Sequence, residues 1–240
     1  MRNFIIYCPH GRCGSTLLAS LLNSHPCIHC EGELLRCRSK RRLSRPISFL
    51  LKHFPLPYIK ARQFRAHYVK QASAYGFKFF FSHLSNSPKI VKSLHASGWA
   101  VLYLRRDSIF DAVLSANIGN ATKRWHGRKG KDGPEPPSLS VDPTTFLEDF
   151  RSRRQSSQHF HEILSSIPHL PIVYEDELAS PECWAATVGR ICNYLELESP
   201  PTPVTTHLSK PWSRPYSEIV SNYADLQSIA QQELAQGSQP

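Results

Sequence analysis

An α/β fold with a mostly parallel central sheet is predicted by two strand-to-helix transitions and by the kind of strand that feeds them. Residues 4–7, Phe-Ile-Ile-Tyr, are bulky and β-prone; after a glycine-bearing turn, Leu17, Leu18, Leu21 and Leu22 recur at the spacing of one helix face. Residues 99–104, Trp-Ala-Val-Leu-Tyr-Leu, are an apolar run without alternation, the pattern of a strand covered on both faces. Ile109, Phe110, Val113, Leu114, Asn117 and Ile118 then repeat at helical spacing. The chain has 240 residues, enough for one large domain with a full core, so 1–240 is read as a single domain.

The first transition passes through Cys8-Pro-His-Gly-Arg-Cys-Gly-Ser-Thr16. Pro9, Gly11 and Gly14 let the chain turn tightly, and Gly14, Ser15 and Thr16 open the helix, where the first four backbone N–H groups lack intrahelical partners. An anion is stabilised at such a terminus. Arg12 adds a fixed positive charge, and the hydroxyls of Ser15 and Thr16 can either cap the helix or bind phosphate oxygens. The plain alternative is a capped turn, which rarely combines an arginine with two hydroxyls. The Walker pattern G-x-x-x-x-G-K-[ST] is absent, because Ser15 follows Gly14 with no lysine.

His25-Pro26 ends the first helix, since proline disfavours helix at the residue before it. A short strand is expected near Cys27 to Cys30, delivering Glu31 and Glu33 to its carboxyl end, the edge where ligands sit in open parallel sheets, with a turn at Gly32 that sends the two carboxylates to different places. One or two helices are expected around Ile59 to Tyr75, and 76–81, Gly-Phe-Lys-Phe-Phe-Phe, has strand composition. The strand at 99–104 ends in Arg105-Arg106-Asp107-Ser108, a second charged junction before a helix. Residues 127–143 are rich in Gly, Pro and charge, which predicts a mobile loop: a lid, a binding loop or a disordered insertion. Lys123, Arg124, Trp125 and His126 precede it and could face a substrate. A long helix is expected over 144–167 with Phe146, Leu147, Phe150, Phe160, Ile163 and Leu164 on its core face, then a strand at 170–174, a helix carrying Val188, Ile191 and Leu195, and a last helix after the basic loop 209–215.

The segment C-P-H-G-R-C-G-S-T-L-L, followed by L-N-S-H-P and then G-E-L-L at 32–35, resembles the 5′-phosphosulfate loop of the sulfotransferases that use 3′-phosphoadenosine 5′-phosphosulfate. The bacterial branch, with R-S-G-S-T-L-L, is closest; Cys13 replaces a small hydroxyl residue there, one hydrogen-bond donor fewer. Y-L-R-R-D-S-I-F-D-A-V-L-S is similar to the family's 3′-phosphate motif, with Arg106 and Ser115 at the matching positions. Ser115 lies nine residues after Arg106 where the family has eight, which implies a bulged junction or a share of the role for Arg105. Y-E-D-E-L at 174–178 resembles a scaffold turn of the family, and the 209–215 loop is similar to a C-terminal basic segment that closes over the cofactor, adding Lys210 and Arg214.

This resemblance implies a three-layer α/β/α fold like that of the P-loop nucleoside triphosphate hydrolases and transfer of a sulfuryl group to a hydroxyl acceptor, whether carbohydrate, glycolipid or small metabolite. Adenosine 3′,5′-bisphosphate would be the product. Gly11, Arg12, Cys13, Gly14, Ser15, Thr16, Arg106, Ser115 and Arg214 would bind the cofactor, and Arg12 and Glu33 would be catalytic. Glu33 is the expected general base through its match to G-E-L-L, with Glu31 and His10 as rivals. No metal is expected, for want of a carboxylate set suited to magnesium beside the loop. A small-molecule kinase and a non-catalytic polyanion-binding protein remain as alternatives.

A net charge of +10 implies an acidic partner: nucleic acid, membrane surface, sulfated polymer or a highly charged cofactor. Basic residues concentrate in R-C-R-S-K-R-R-L-S-R at 36–45, a nucleic-acid or anionic-lipid patch or simply a solvated basic loop. Aromatics do not interleave with it as a stacking platform for single strands requires, so nucleic acid is not expected as the partner. Seven cysteines are an odd count in a chain too long to need disulfide staples, which points to a reducing, cytoplasmic setting. Cys27 and Cys30 stand beside His25 and His29, but no second pair at zinc-finger spacing follows. With no 18-residue apolar run and a strand at the very start, neither a membrane span nor a signal peptide is expected.

Overall fold

The computed structural model describes residues 1–35, 55–83, 86–130, 134–198 and 203–236. Strand β1 (Arg2–Cys8) leads into α1 (Ser15–Leu22), β2 (Ile28–Glu33), α2 (Pro55–Lys70), β3 (Ala74–Phe80), α3 (Ser87–Ala96), β4 (Ala100–Arg105) and α4 (Ile109–Thr122). The chain continues through β5 (Gly127–Arg128), α5 (Pro143–Leu164), β6 (Leu170–Val173), α6 (Tyr174–Glu177), α7 (Trp184–Tyr194), β7 (Leu208–Ser209), α8 (Tyr216–Ile219) and α9 (Tyr223–Gln236). Five strands form one sheet in the order β2-β3-β1-β4-β6, and every pairing in it is parallel. The α/β class and the parallel sheet are as the sequence predicts.

Alternation along the strands builds a core on each face, because successive side chains point to opposite sides. Phe4, Ile6 and Cys8 of β1 join Leu102, Leu104 and Ile172 under α1 and α7, which contribute Leu18, Leu21, Leu22, Val188 and Ile191. Ile5 and Tyr7 join Tyr75, Phe77, Phe79, Val101 and Tyr103 under α2, α3 and the C-terminal half of α5. Helices therefore cover both faces. Tyr7 is fully buried against Phe160, ring centroids 4.1 Å apart, and its hydroxyl is 3.0 Å from Ser87 Oγ, so the one polar atom it carries into the core is satisfied. A third cluster, with Val113, Leu114 and Ile118 of α4, Phe146 and Phe150 of α5, Trp212, and Leu226 of α9, closes the carboxyl end of β4.

Local signals explain where the elements begin and end. Asp142 accepts the Thr145 N–H at 2.8 Å and Pro143 occupies the first turn of α5, a cap and a starter in register. Ser108 accepts the Asp111 N–H at the head of α4. The helix expected near 59–75 ends at Lys70: Gln71 takes a left-handed φ of 51°, and Tyr75 is a buried strand residue because Ala74–Phe80 pairs with β1 on one side and β2 on the other. Strand β2 is longer than expected and carries Glu31 and Glu33 within it. In the 127–143 segment, Gly127–Arg128 pairs antiparallel with Leu208–Ser209, and Leu139 forms a bridge to Val220. The basic cluster 36–45 and residues 131–133 lie outside the described residues. Among the described residues no helix is long and apolar enough to cross a membrane.

Candidate functional site

Strands β1 and β4 are hydrogen-bonded neighbours, so the loops at their carboxyl ends lie side by side. The two charged junctions therefore meet. Arg12 Nε donates to Ser115 Oγ at 2.9 Å, and Arg106 Nη1 donates to the Arg12 carbonyl oxygen at 3.3 Å. A cleft of about 990 Å³ opens there, lined by Arg12, Gly14, Thr16, Arg106, Ser115 and Arg214 among others, with Tyr174, Trp184 and Trp125 as aromatic walls.

The first loop is held in an unusual backbone path. Arg12 has φ 71° and Gly14 φ 87°, both left-handed, and Gly14 caps α1 without a side chain; the Ser15 N–H meets the Cys13 sulfur, leaving the first-turn amides of Thr16 and Leu17 to outside acceptors. A Cβ on Gly14 would stand 2.5 Å from Tyr174 Cδ2. Gly14→Ala is expected to lower unfolding free energy by about 2 kcal/mol or more, from the left-handed backbone cost plus displacement of the ring; unchanged stability in urea would contradict this. Cys13 is fully buried in the core with Cys8, so its side chain does not line the cleft, and replacing a hydroxyl there removes no donor from the ligand side. Burial pushes the Cys8 thiol up, which keeps it protonated.

Arg106 is held from three sides. Its guanidinium stacks over Tyr174 at 4.8 Å and pairs with Asp111 at 3.4 Å and Glu175 at 3.5 Å, with only 9% of its side chain exposed. Among the described residues its Nε finds no hydrogen-bond acceptor. Arg12 also donates to the Trp125 carbonyl oxygen at 3.0 Å and lies 5.5 Å from the Trp125 ring centre. Burial lowers the Arg12 pKa from its usual value, a sign of a guanidinium short of water. Arg106 is thus already balanced by two carboxylates, whereas Arg12 has no carboxylate beside it among the described residues and is the cation an anion in the cleft would meet.

The two candidate carboxylates part company at a bulge, where Glu31 pairs with Phe77 and Glu33 with Lys78. Glu31 is taken by Arg62, whose Nη2 lies 2.6 Å from its Oε2, and by the Tyr75 hydroxyl at 3.2 Å. Glu33 turns toward Lys78 Nζ at 4.0 Å and His83 Nε2 at 3.7 Å. Lys78 is buried and donates to Thr16 Oγ1 at 2.9 Å, linking Glu33 to the first turn of α1. His126 completes the group: burial first, then Arg12 and Lys78, pull its pKa down to about 4, against the opposing pull of Glu33. It is therefore neutral near pH 7.

His10 lies on the other side. It is buried, its Nδ1 is 2.9 Å from the Gly11 carbonyl oxygen and 3.3 Å from Arg153 Nη1, and its Nε2 has no partner among the described residues. Burial, with Arg153 adding to it, pulls its pKa from 6.5 to about 4. Through that interval the unfolded chain binds a proton at His10 that the native state refuses, so stability falls as pH drops from 6.5 toward 4, by up to about 1.4 kcal/mol per pH unit. His10→Gln is expected to flatten this part of the slope in urea unfolding series across the window; identical slopes would contradict it.

The rim is built from the two late loops. Gly127 packs so closely on the 208–210 segment that a Cβ would stand 2.3 Å from the Lys210 carbonyl oxygen. Glu135 accepts the Ser213 N–H at 2.9 Å and pairs with Arg214 at 3.7 Å, while Arg214 donates to the Pro136 carbonyl oxygen. Arg214 and Lys210 thereby reach the cleft.

Of the expected residues, Arg12, Gly14, Ser15, Thr16, Arg106, Ser115 and Arg214 line one cleft and Glu33 stands across Thr16 and Lys78 from it. Glu31 and the side chain of Cys13 lie elsewhere. Lys78 was not singled out as a site residue from the sequence, although a lone lysine inside Gly-Phe-Lys-Phe-Phe-Phe was a signal that some specific partner compensates its burial; His126 was named, with Lys123, Arg124 and Trp125, as a residue that could face a substrate, without a role. No family model matches the chain, and no curated protein matches it.

Proposed function

We propose that this chain is a sulfotransferase of P-loop type that moves a sulfuryl group from 3′-phosphoadenosine 5′-phosphosulfate to a hydroxyl acceptor. The observation that carries the reading is the junction of two arginine-bearing strand ends in one cleft, which suits a nucleotide with phosphates at two ends. Arg106, packed on Tyr174 and short of one acceptor at Nε, fits a phosphate at one end together with Ser115. The amides and hydroxyls of Gly14–Thr16, with Arg12 spanning toward Ser115, fit the other. Bound there, the donor supplies the activated sulfuryl group.

The chain's own residues supply the rest. Glu33, beside Lys78 and His83, accepts the acceptor's hydroxyl proton. Lys78, hydrogen-bonded to Thr16, and Arg12 offset negative charge as it spreads during transfer, the kind of stabilisation that dominates phosphoryl-type reactions. The neighbouring His126, neutral at pH 7, adds no positive charge to compete for Glu33. Positioning and charge do the chemistry, with no covalent intermediate on the protein.

Calorimetry with adenosine 3′,5′-bisphosphate, adenosine 5′-monophosphate and ATP tests the reading. The bisphosphate is expected to bind more tightly than the monophosphate by about 2 kcal/mol, the scale of a charge-assisted hydrogen bond. Arg106→Ala is expected to erase that preference and leave monophosphate affinity nearly unchanged. Equal affinity of the wild type for the two, or a preference for ATP, would overturn the assignment and favour a kinase.

A further inference from the structure

We propose that the outward face of α2 docks this protein on an anionic lipid bilayer. Helix α2 turns Ile59 and Ala66 into the core under the sheet. On the opposite side Phe64 and Tyr68 are 62% and 65% exposed, with Leu56 exposed one turn or more before them. The two rings lie against each other, centroids 4.2 Å apart with their planes tilted by 37°. Lys60, Arg65 and His67 are exposed around them. A face of aromatic rings flanked by cations, set against a buried stripe, has the make-up of a helix that lies in a membrane interface.

The charge pattern around this helix has one sign. Between Leu34 and Arg106 the sequence holds sixteen of the 29 lysines and arginines and none of the 19 acidic residues. Six of the sixteen fall in 36–45, just ahead of α2 in the sequence. Helix α3, packed under the same sheet face, adds exposed Lys89 and Lys92. With no acid in this stretch, neutralisation must come from distant segments, as Glu31 does for Arg62, or from a partner. Anionic headgroups attract lysines and arginines near the surface, and aromatic rings settle at headgroup depth. A nucleic acid would use open, parallel ring faces to stack bases, but here the two rings are tilted into each other and form one apolar knob, which favours the bilayer.

The test is co-sedimentation of the full chain with vesicles of phosphatidylcholine, alone or with roughly one-third phosphatidylglycerol. The wild type is expected to partition onto the anionic vesicles and not the neutral ones, and to be released as salt rises. Phe64→Ser with Tyr68→Ser, and separately Lys60→Glu with Arg65→Glu, are each expected to lower partitioning about tenfold or more. Both pairs are exposed, so far-UV circular dichroism and melting should match wild type. Failure to bind anionic vesicles, equal binding to neutral ones, or full binding by the Phe64/Tyr68 variant would overturn the proposal. So would a wild-type dimer in size-exclusion chromatography that the Phe64/Tyr68 variant dissolves, since the face would then belong to a second copy.

Discussion

Glu33→Gln is expected to lower sulfate transfer by roughly a hundredfold or more, the usual yield of a positioned general base, while leaving adenosine 3′,5′-bisphosphate affinity within a few tenths of a kcal/mol. The separation follows from geometry. Glu33 faces Lys78 and His83, not the arginines of the cleft, so its replacement by an isosteric amide touches no phosphate contact. Glu31→Gln should behave in the opposite way. Its carboxylate is held by two nitrogens of Arg62 and by the Tyr75 hydroxyl, and losing the charge leaves that guanidinium with a weaker partner, so stability should fall while turnover persists. The measurements are a nucleotide titration, a melting curve and transfer of labelled sulfate to an acceptor found by screening sugars, phenols and glycolipids. A dead Glu31→Gln beside an active Glu33→Gln would move the base two residues and leave the fold untouched; two active variants would make His10 the next candidate, despite the buried, low-pKa setting that keeps it neutral.

How much of this was legible in the sequence depends on whether the determining forces were local. The loop at 9–16 could be read because glycine, arginine and hydroxyls sit in one short stretch, and the β4–α4 junction because its apolar run and its helix repeat are contiguous. That Glu31 and Glu33 would separate was an expectation about a turn at Gly32; the mechanism proved to be a bulge in a strand longer than expected, set by pairing with β3, which is not local. The end of α2 was misread for a related reason, since Tyr75 joins the sheet through partners on both sides that a helical period cannot reveal. Cys13 looked like a lost donor until its side chain was seen to point into the core, a matter of one backbone angle at Arg12 and one at Gly14. The pairing of Gly127–Arg128 with Leu208–Ser209 joins segments some eighty positions apart and had no sequence signature.

Lys78 is the residue for which that distinction matters most, and Lys78→Met is the variant with the largest expected loss. Its ammonium is buried, with Thr16 Oγ1 at 2.9 Å and Glu33 at 4.0 Å, so it reaches the first turn of α1 from β3, not from the loop. A buried cation with a single hydrogen bond is poorly repaid for its desolvation, and a methionine of similar length should leave melting unchanged or raise it. If Lys78 instead serves the transfer, charge developing near Thr16 gains most from it in the transition state, and its loss should cost turnover about 10²–10³-fold, the range for one preorganised donor in a dry site. Nucleotide affinity should fall much less than turnover, because Arg12 and Arg106 remain. Lys78→Arg should restore little, since a planar fork cannot replace a point charge set against the first turn of α1. A stable Lys78→Met protein that transfers sulfate within threefold of wild type would remove the lysine from the transfer step, and a variant that loses stability and activity together would assign it to the fold.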